Sequence, residues 1–237
     1  MKTVKALAGN SPAGNRRLLG KLALDLVMTL LVVMEYAYDF TGGIVHEVIG
    51  FGLLFLFVVH AVINRKWFMA FFKGKYGLKR AVNTFVNLLV LGVALVLLCS
   101  GLLNASLIEM LLHFKWAFST RSVHSVAAYW FLLLMAFHLG MHWTVILSES
   151  RRRLGGAGNP RWCEVFLLRI AAVSILIYGG FAAVRQDISS RLLADYSFSY
   201  WDDTAVVQYF IDFIALVGSV TVLAHYFRTC LWNRRSS

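Results

Sequence analysis

The chain is 237 residues long, 59% hydrophobic and only 15% charged, with two prolines and a positive mean hydropathy, which places it outside the range of soluble globular domains. That composition leaves no room for a separate soluble domain and points to an all-α polytopic membrane protein. The formal net charge of +11 needs no nucleic-acid partner, since insertion topology and anionic lipid account for it.

Residues 1–18 open with MKTVKALAGNSPAGNRR, which lacks the apolar run of a signal peptide and reads as a cytoplasmic tail. A spanning helix needs about 20 mostly apolar residues. Six segments satisfy this: 19–38, 44–64, 82–103, 123–147, 163–184 and 206–229. The first is the weakest because it carries Asp25 and Glu35. Six spans put the tail, the 65–80 and 148–162 loops and the C-terminus on one face. Of the 23 Lys and Arg, eighteen fall on that side if Lys21 and Arg228, at the inner ends of the first and last spans, are counted with it; Arg169 lies within the fifth span, and Lys115, Arg121, Arg185 and Arg191 lie on the other face. Basic loops are retained in the cytoplasm, so both termini are expected inside. The predicted organisation is a four-helix bundle over 19–148 and a cytoplasmic linker over 149–162. Two further spans follow over 163–229, with an extracytosolic loop at 185–205, and a short cytoplasmic end closes the chain at 230–237.

Two of these spans carry the same pattern. Residues 46–60 read HEVIGFGLLFLFVVH and residues 124–138 read HSVAAYWFLLLMAFH, so each has two histidines fourteen positions apart. Fourteen residues are nearly four helical turns, which puts both imidazoles of a pair on one face and ~21 Å apart along the axis. That distance is most of the ~30 Å hydrocarbon thickness. The second and fourth spans run in the same direction, so His46 is expected level with His124 near the outer leaflet, and His60 level with His138 near the inner one. Two facing imidazoles at each of two depths form two bis-histidine sites for haem iron. Each neutral ring would give one nitrogen to the metal while its other N–H is held by a neighbouring acceptor. Gly50 and Gly52 on one span, and Ala127, Ala128, Ala136 and Gly140 on the other, supply room for a flat macrocycle. With both axial positions filled, electron transfer is favoured over chemistry at the metal. A single histidine in such a helix reads equally well as a hydrogen-bonded packing residue, and glycines there as packing residues; two matched pairs are what separates the readings.

Other positions follow from these. His142 lies one turn after His138 and competes with it for the inner iron, and it is otherwise a propionate partner or an interfacial residue. Arg121 and Ser122 before His124, and Arg65, Lys66 and Trp67 after His60, are the candidate propionate partners, although basic and Trp residues flank spans in any membrane protein. His113, in a segment expected to form a short interfacial helix, and His225 read as interfacial histidines, with quinone protonation as their alternative role. The 185–205 loop sets four aspartates against two arginines around Tyr196, Phe198, Tyr200 and Trp201, a surface suited either to an interfacial belt or to docking a redox partner. Cys99, Cys163 and Cys230 form no CxxC or CxxCH, which removes covalent haem attachment; Cys99 reads as a small packing residue.

The run from Asp25 through the first span, HExxG at His46, Glu47 and Gly50, HAVIN at 60–64 followed by RKW, HxxxAYW from His124 and HLGMHW from His138 resemble the flavinylation-associated cytochromes, bacterial membrane proteins long described as a domain of unknown function. The resemblance covers about residues 20–145. It implies a four-helix b-type cytochrome core with two haem b, ligated by His46, His60, His124 and His138, serving extracytosolic electron transfer to proteins that often carry covalent flavin. A cytochrome anchor of a quinone-linked dehydrogenase or hydrogenase, with its external subunits as partners, is the alternative. A haem-free transporter is a third, but it would favour broken helices or internal repeats, and no proline lies in any span. No hydrolytic constellation marks the chain as a stand-alone enzyme.

Overall fold

The computed structural model describes residues 12–113, 118–153, 162–194 and 206–233, and within them every regular element is an α-helix. In chain order these are α1 (Pro12–Glu35), α2 (Tyr38–Ile63), α3 (Arg65–Ala70), α4 (Leu78–Asn104), α5 (Ser106–Leu112), α6 (Phe118–Arg153), α7 (Trp162–Arg185), α8 (Ile188–Leu192) and α9 (Val206–Asn233). Five helices are long and apolar enough to cross a membrane: α2, α4, α7, and the stretches Ser119–Arg152 of α6 and Val206–Leu231 of α9. The protein is therefore an all-α, multi-pass membrane protein. The sixth expected span exists as the helix α1, but Lys21, Asp25 and Glu35 keep it out of that set. The ends of the chain, the 154–161 part of the linker, Lys115 and residues 195–205 of the acidic loop lie outside the described residues.

Helix ends follow local chemistry more than hydropathy. Pro12 opens α1, where its missing N–H costs no hydrogen bond. Beyond its apolar stretch α6 continues to Arg153, giving a rod of about 50 Å that exceeds the ~30 Å hydrocarbon layer. Its polar last turns are tied by Arg152 Nη2, which donates to both oxygens of Glu149 at 2.8 and 2.6 Å. In α2, Gly42 sits at φ 79° and ψ 168°, a conformation open to glycine and costly for other residues. The continuous helix that carries both His46 and His60 begins after it. His113 closes α5 in a left-handed conformation.

The chain divides into two compact units at Gly74–Lys75. In the first, α1 and α2 pack antiparallel across a turn at 36–37, where Ala37 N–H donates to Met34 O at 3.0 Å. Its buried apolar set is small: Val32, Val33 and Ala37. In the second unit α6 is central, packing against α4 and α9, while α9 also packs against α7. The last two long helices thus share one core with α4 and α6, centred on Leu132, Ala136, Phe213 and Ala224. Small residues set the crossings, as expected where lipid removes the hydrophobic drive between helices. A Cβ on Gly140 would meet Ala224 Cβ at 2.6 Å, and one on Gly179 would meet Ser219 Cβ at 2.5 Å.

Candidate functional site

The four paired histidines all lie in uninterrupted helix, His46 and His60 on α2 and His124 and His138 on α6. What surrounds them was not legible in their spacing. On α2, His60 Nδ1 stands 3.0 Å from Asp25 Oδ1 of α1. Its other nitrogen, Nε2, lies 3.3 Å from Asn64 Nδ2, which also donates to His60 O at 3.1 Å. Lys21 Nζ donates to Asn64 Oδ1 at 2.8 Å. Lysine has only donors, so Asn64 must turn its amide NH2 to the ring, where Nε2 accepts. The proton of the neutral imidazole is then on Nδ1, directed at Asp25.

His46, at the other end of α2, repeats the arrangement with Glu35. Its Nδ1 stands 2.5 Å from Glu35 Oε2, as a charge contact without the alignment of a hydrogen bond. The Tyr38 ring packs edge-on against the imidazole at 5.2 Å. Glu35 is only 14% exposed, and its Oε1 is shielded with no hydrogen-bond partner among the described residues. Both carboxylates that made the first span weak are thus the ones that face the α2 histidines.

In the second unit, His124 Nδ1 lies 3.2 Å from Leu97 O and 3.2 Å from Ser100 Oγ. Ser100 itself donates to Leu97 O at 3.0 Å. A carbonyl only accepts, so Nδ1 carries the proton here too. Gly101 lets α4 approach this ring, since a Cβ there would stand 3.0 Å from His124 Cε1. His138 and His142 face each other one turn apart, with ring centroids at 4.9 Å.

No protein-family model, characterised protein or solved structure matches the chain. The site must therefore be argued from its own chemistry. Among the described residues no three His, Cys, Asp or Glu side chains gather to hold a metal ion. A porphyrin supplies four of its iron's ligands and needs only two from protein, so a pair of histidines suffices for it.

The other predicted positions divide. A Cβ on Gly50 or Gly52 would meet no atom within 4 Å, so no close helix contact accounts for these glycines. Gly140 and Ala136 are corrected: they serve the α6–α9 crossing, where Thr221 Oγ1 donates to Ala136 O at 3.1 Å, and they do not make room for a cofactor. Cys99 is also corrected, from a packing residue to one on the exposed face of α4. Arg121, Arg65 and Lys66 are exposed, and Trp67 packs against Phe68 and Phe71. His113 is exposed, and His225 lies against Tyr226, its Nδ1 shielded and without a hydrogen-bond partner among the described residues.

The sequence reading missed a polar cluster between α7 and α9. Asp212 is fully buried and accepts from Tyr178 OH at 2.8 Å, Arg185 Nη1 at 3.1 Å, Gln208 Nε2 at 2.9 Å and Gln186 Nε2 at 3.1 Å. Arg191 Nε donates to Gln186 O at 3.0 Å and its Nη1 to Tyr129 OH at 2.7 Å. These contacts, with Trp130 Nε1 donating to Leu192 O at 3.2 Å, fasten the α7–α8 connection to α6. The signal available was a lone aspartate inside an apolar helix.

Proposed function

We propose that the chain is a diheme b-type cytochrome carrying electrons across the bacterial cytoplasmic membrane, between a cytoplasmic-side or quinone donor and an extracytosolic, flavin-carrying redox protein. His46 and His124 hold the outer haem and His60 and His138 the inner one. In this topology α1 is the sixth span and both termini are cytoplasmic.

One observation carries the reading: in three of the four histidines, Nδ1 is the ring atom turned to an oxygen of a neighbouring helix, by Glu35, Asp25 and Leu97. A histidine that ligates a metal through Nε2 requires this arrangement, because the acceptor on Nδ1 fixes the tautomer and the ring's orientation. The residues present fit the group. Gly50, one turn after His46, leaves an open position on the helix face that carries the two α2 histidines, and a glycine in a helix costs about 1 kcal/mol relative to alanine that no close packing repays here. The shielded Oε1 of Glu35 is accounted for beside an imidazole made more positive by coordination.

When bound, each haem supplies a one-electron couple. The chain's own residues would do the rest: His46, His60, His124 and His138 would hold the two irons, Asp25 and Leu97 O face the Nδ1 protons of His60 and His124, Glu35 stands beside Nδ1 of His46, and the apolar residues of α2 and α6 would exclude water. Arg121 on the outer side, with His142 and Arg65 on the inner, are the propionate partners.

The test is a reduced-minus-oxidised visible spectrum of purified protein with haem counted per chain. Two haems are expected, with His46→Ala and His60→Ala each losing a different one. A colourless preparation from haem-sufficient cells ends this reading.

A further inference from the structure

We infer that α1 is the potential-setting helix of the protein, with Asp25 and Glu35 acting as positioning residues that lower the midpoint potentials of the inner and outer haems respectively; this rests on the diheme reading above. Two carboxylates inside a helix facing lipid are expensive, and apolar residues would make a better span. Each instead meets one histidine of α2: Asp25 meets His60 at 3.0 Å and Glu35 meets His46 at 2.5 Å.

The contrast with α6 shows what the carboxylates add. His124 has its Nδ1 proton fixed by a carbonyl and a serine hydroxyl, so a neutral acceptor is sufficient for orientation. A carboxylate does more, because a negative charge beside the ring favours positive charge on it, whether it accepts a hydrogen bond, as Asp25 does, or stands in charge contact, as Glu35 does. It draws the Nδ1 proton away, makes Nε2 the stronger electron donor and so favours the more highly charged ferric state. A carboxylate present only to join two helices would also be paired at both oxygens, whereas Glu35 Oε1 has no hydrogen-bond partner among the described residues. Each α2 ligand is thus backed by charge, and at the outer iron the α6 ligand is backed by neutral groups. On this inference the tuned ligand of each haem is the α2 histidine, and the helix that tunes it supplies no ligand of its own.

The experiment is a potentiometric titration of the purified holoprotein, wild type against Asp25→Asn and Glu35→Gln. Asp25→Asn is expected to raise the component that His60→Ala removes and to leave the other in place, and Glu35→Gln to do the converse. The rise should be at least tenfold in the reduced-to-oxidised ratio at fixed potential, or 59 mV for one electron. Haem retained with both components unmoved overturns the inference. If an amide variant loses its haem, the conservative pair decides: Asp25→Glu and Glu35→Asp must each restore haem and shift only the component assigned to that carboxylate, and conservative variants that are also empty, or whose potentials do not move, overturn it. A haem-free wild type would sink the diheme reading itself, an outcome distinct from two haems with unmoved potentials.

Discussion

Lys21 selects the tautomer of His60 through Asn64. Its Nζ donates to Asn64 Oδ1 at 2.8 Å, which commits the amide NH2 of Asn64 to His60 Nε2 and so commits the ring proton to Nδ1 and Asp25. The 3.3 Å contact from Asn64 is weak and occupies the nitrogen that an iron would take. Asn64→Ala is therefore expected to keep both haems. Lys21→Met lets Asn64 turn its oxygen to the ring and stabilise the wrong tautomer, so it should reduce occupancy of the haem that His60→Ala removes. Haem per chain across the two variants checks this, and full loading in Lys21→Met shows that Asp25 fixes the tautomer alone.

Gly50 and Gly140 look alike in the sequence and do different work. A side chain at Gly140 runs into the backbone of Thr221 and into Ala224 Cβ, neither of which can yield without parting α6 from α9. Gly140→Val should cost about 1–3 kcal/mol through overpacking and lower the thermal midpoint in detergent. Gly50→Leu meets nothing within 4 Å of its Cβ and should leave the haem-free protein as stable as wild type or slightly more so, while reducing haem content. A Gly50→Leu protein with full haem would show that the open face is not used by the macrocycle.

Much of the fold was legible in the sequence because lipid admits few structures: an apolar run bounded by basic residues has little choice but to be a helix. The five qualifying helices coincide with five of the segments picked from hydropathy. The sixth failed on the charges of Asp25 and Glu35, whose partners lie 35 and 11 positions further on and whose pairing depends on the turn at 36–37. The same limit applies to Asp212, which reads as an isolated liability until Gln186, Gln208, Tyr178 and Arg185 are folded around it. Helical periodicity predicts which residues share a face; it does not predict what the adjacent helix presents to that face. Gly140 shows this, since small size serves a helix crossing and a cofactor equally well.

His138 and His142 are in ring contact at 4.9 Å, close enough that one turn of α6 decides which is the ligand. The fourteen-residue match to α2 selects His138. His138→Ala should therefore remove one haem per chain, and His142→Ala should keep two with a spectrum close to wild type. If the effects are reversed, His142 and not His138 is the α6 residue that the proposal needs.

The cluster around Asp212 makes an asymmetric prediction. Asp212 is 0% exposed while Arg185 is 43% exposed, so the two partners do not suffer equally from losing each other. Asp212→Asn removes the buried charge, keeps an acceptor for Tyr178 or Gln208, and leaves Arg185 able to turn outward; the cost should be about 1–2 kcal/mol. Arg185→Met leaves a buried carboxylate held by neutral donors alone and should cost about 3 kcal/mol or more. Both variants should loosen the α7–α8 connection that Arg191 and Trp130 fasten to α6, and both should retain haem, because the hydrogen bonds of Asp212 and Arg185 run within α7 and α9 and their connection. Thermal unfolding in detergent gives the order: an Arg185→Met protein more stable than Asp212→Asn would mean that the three neutral donors solvate the carboxylate without help from the guanidinium.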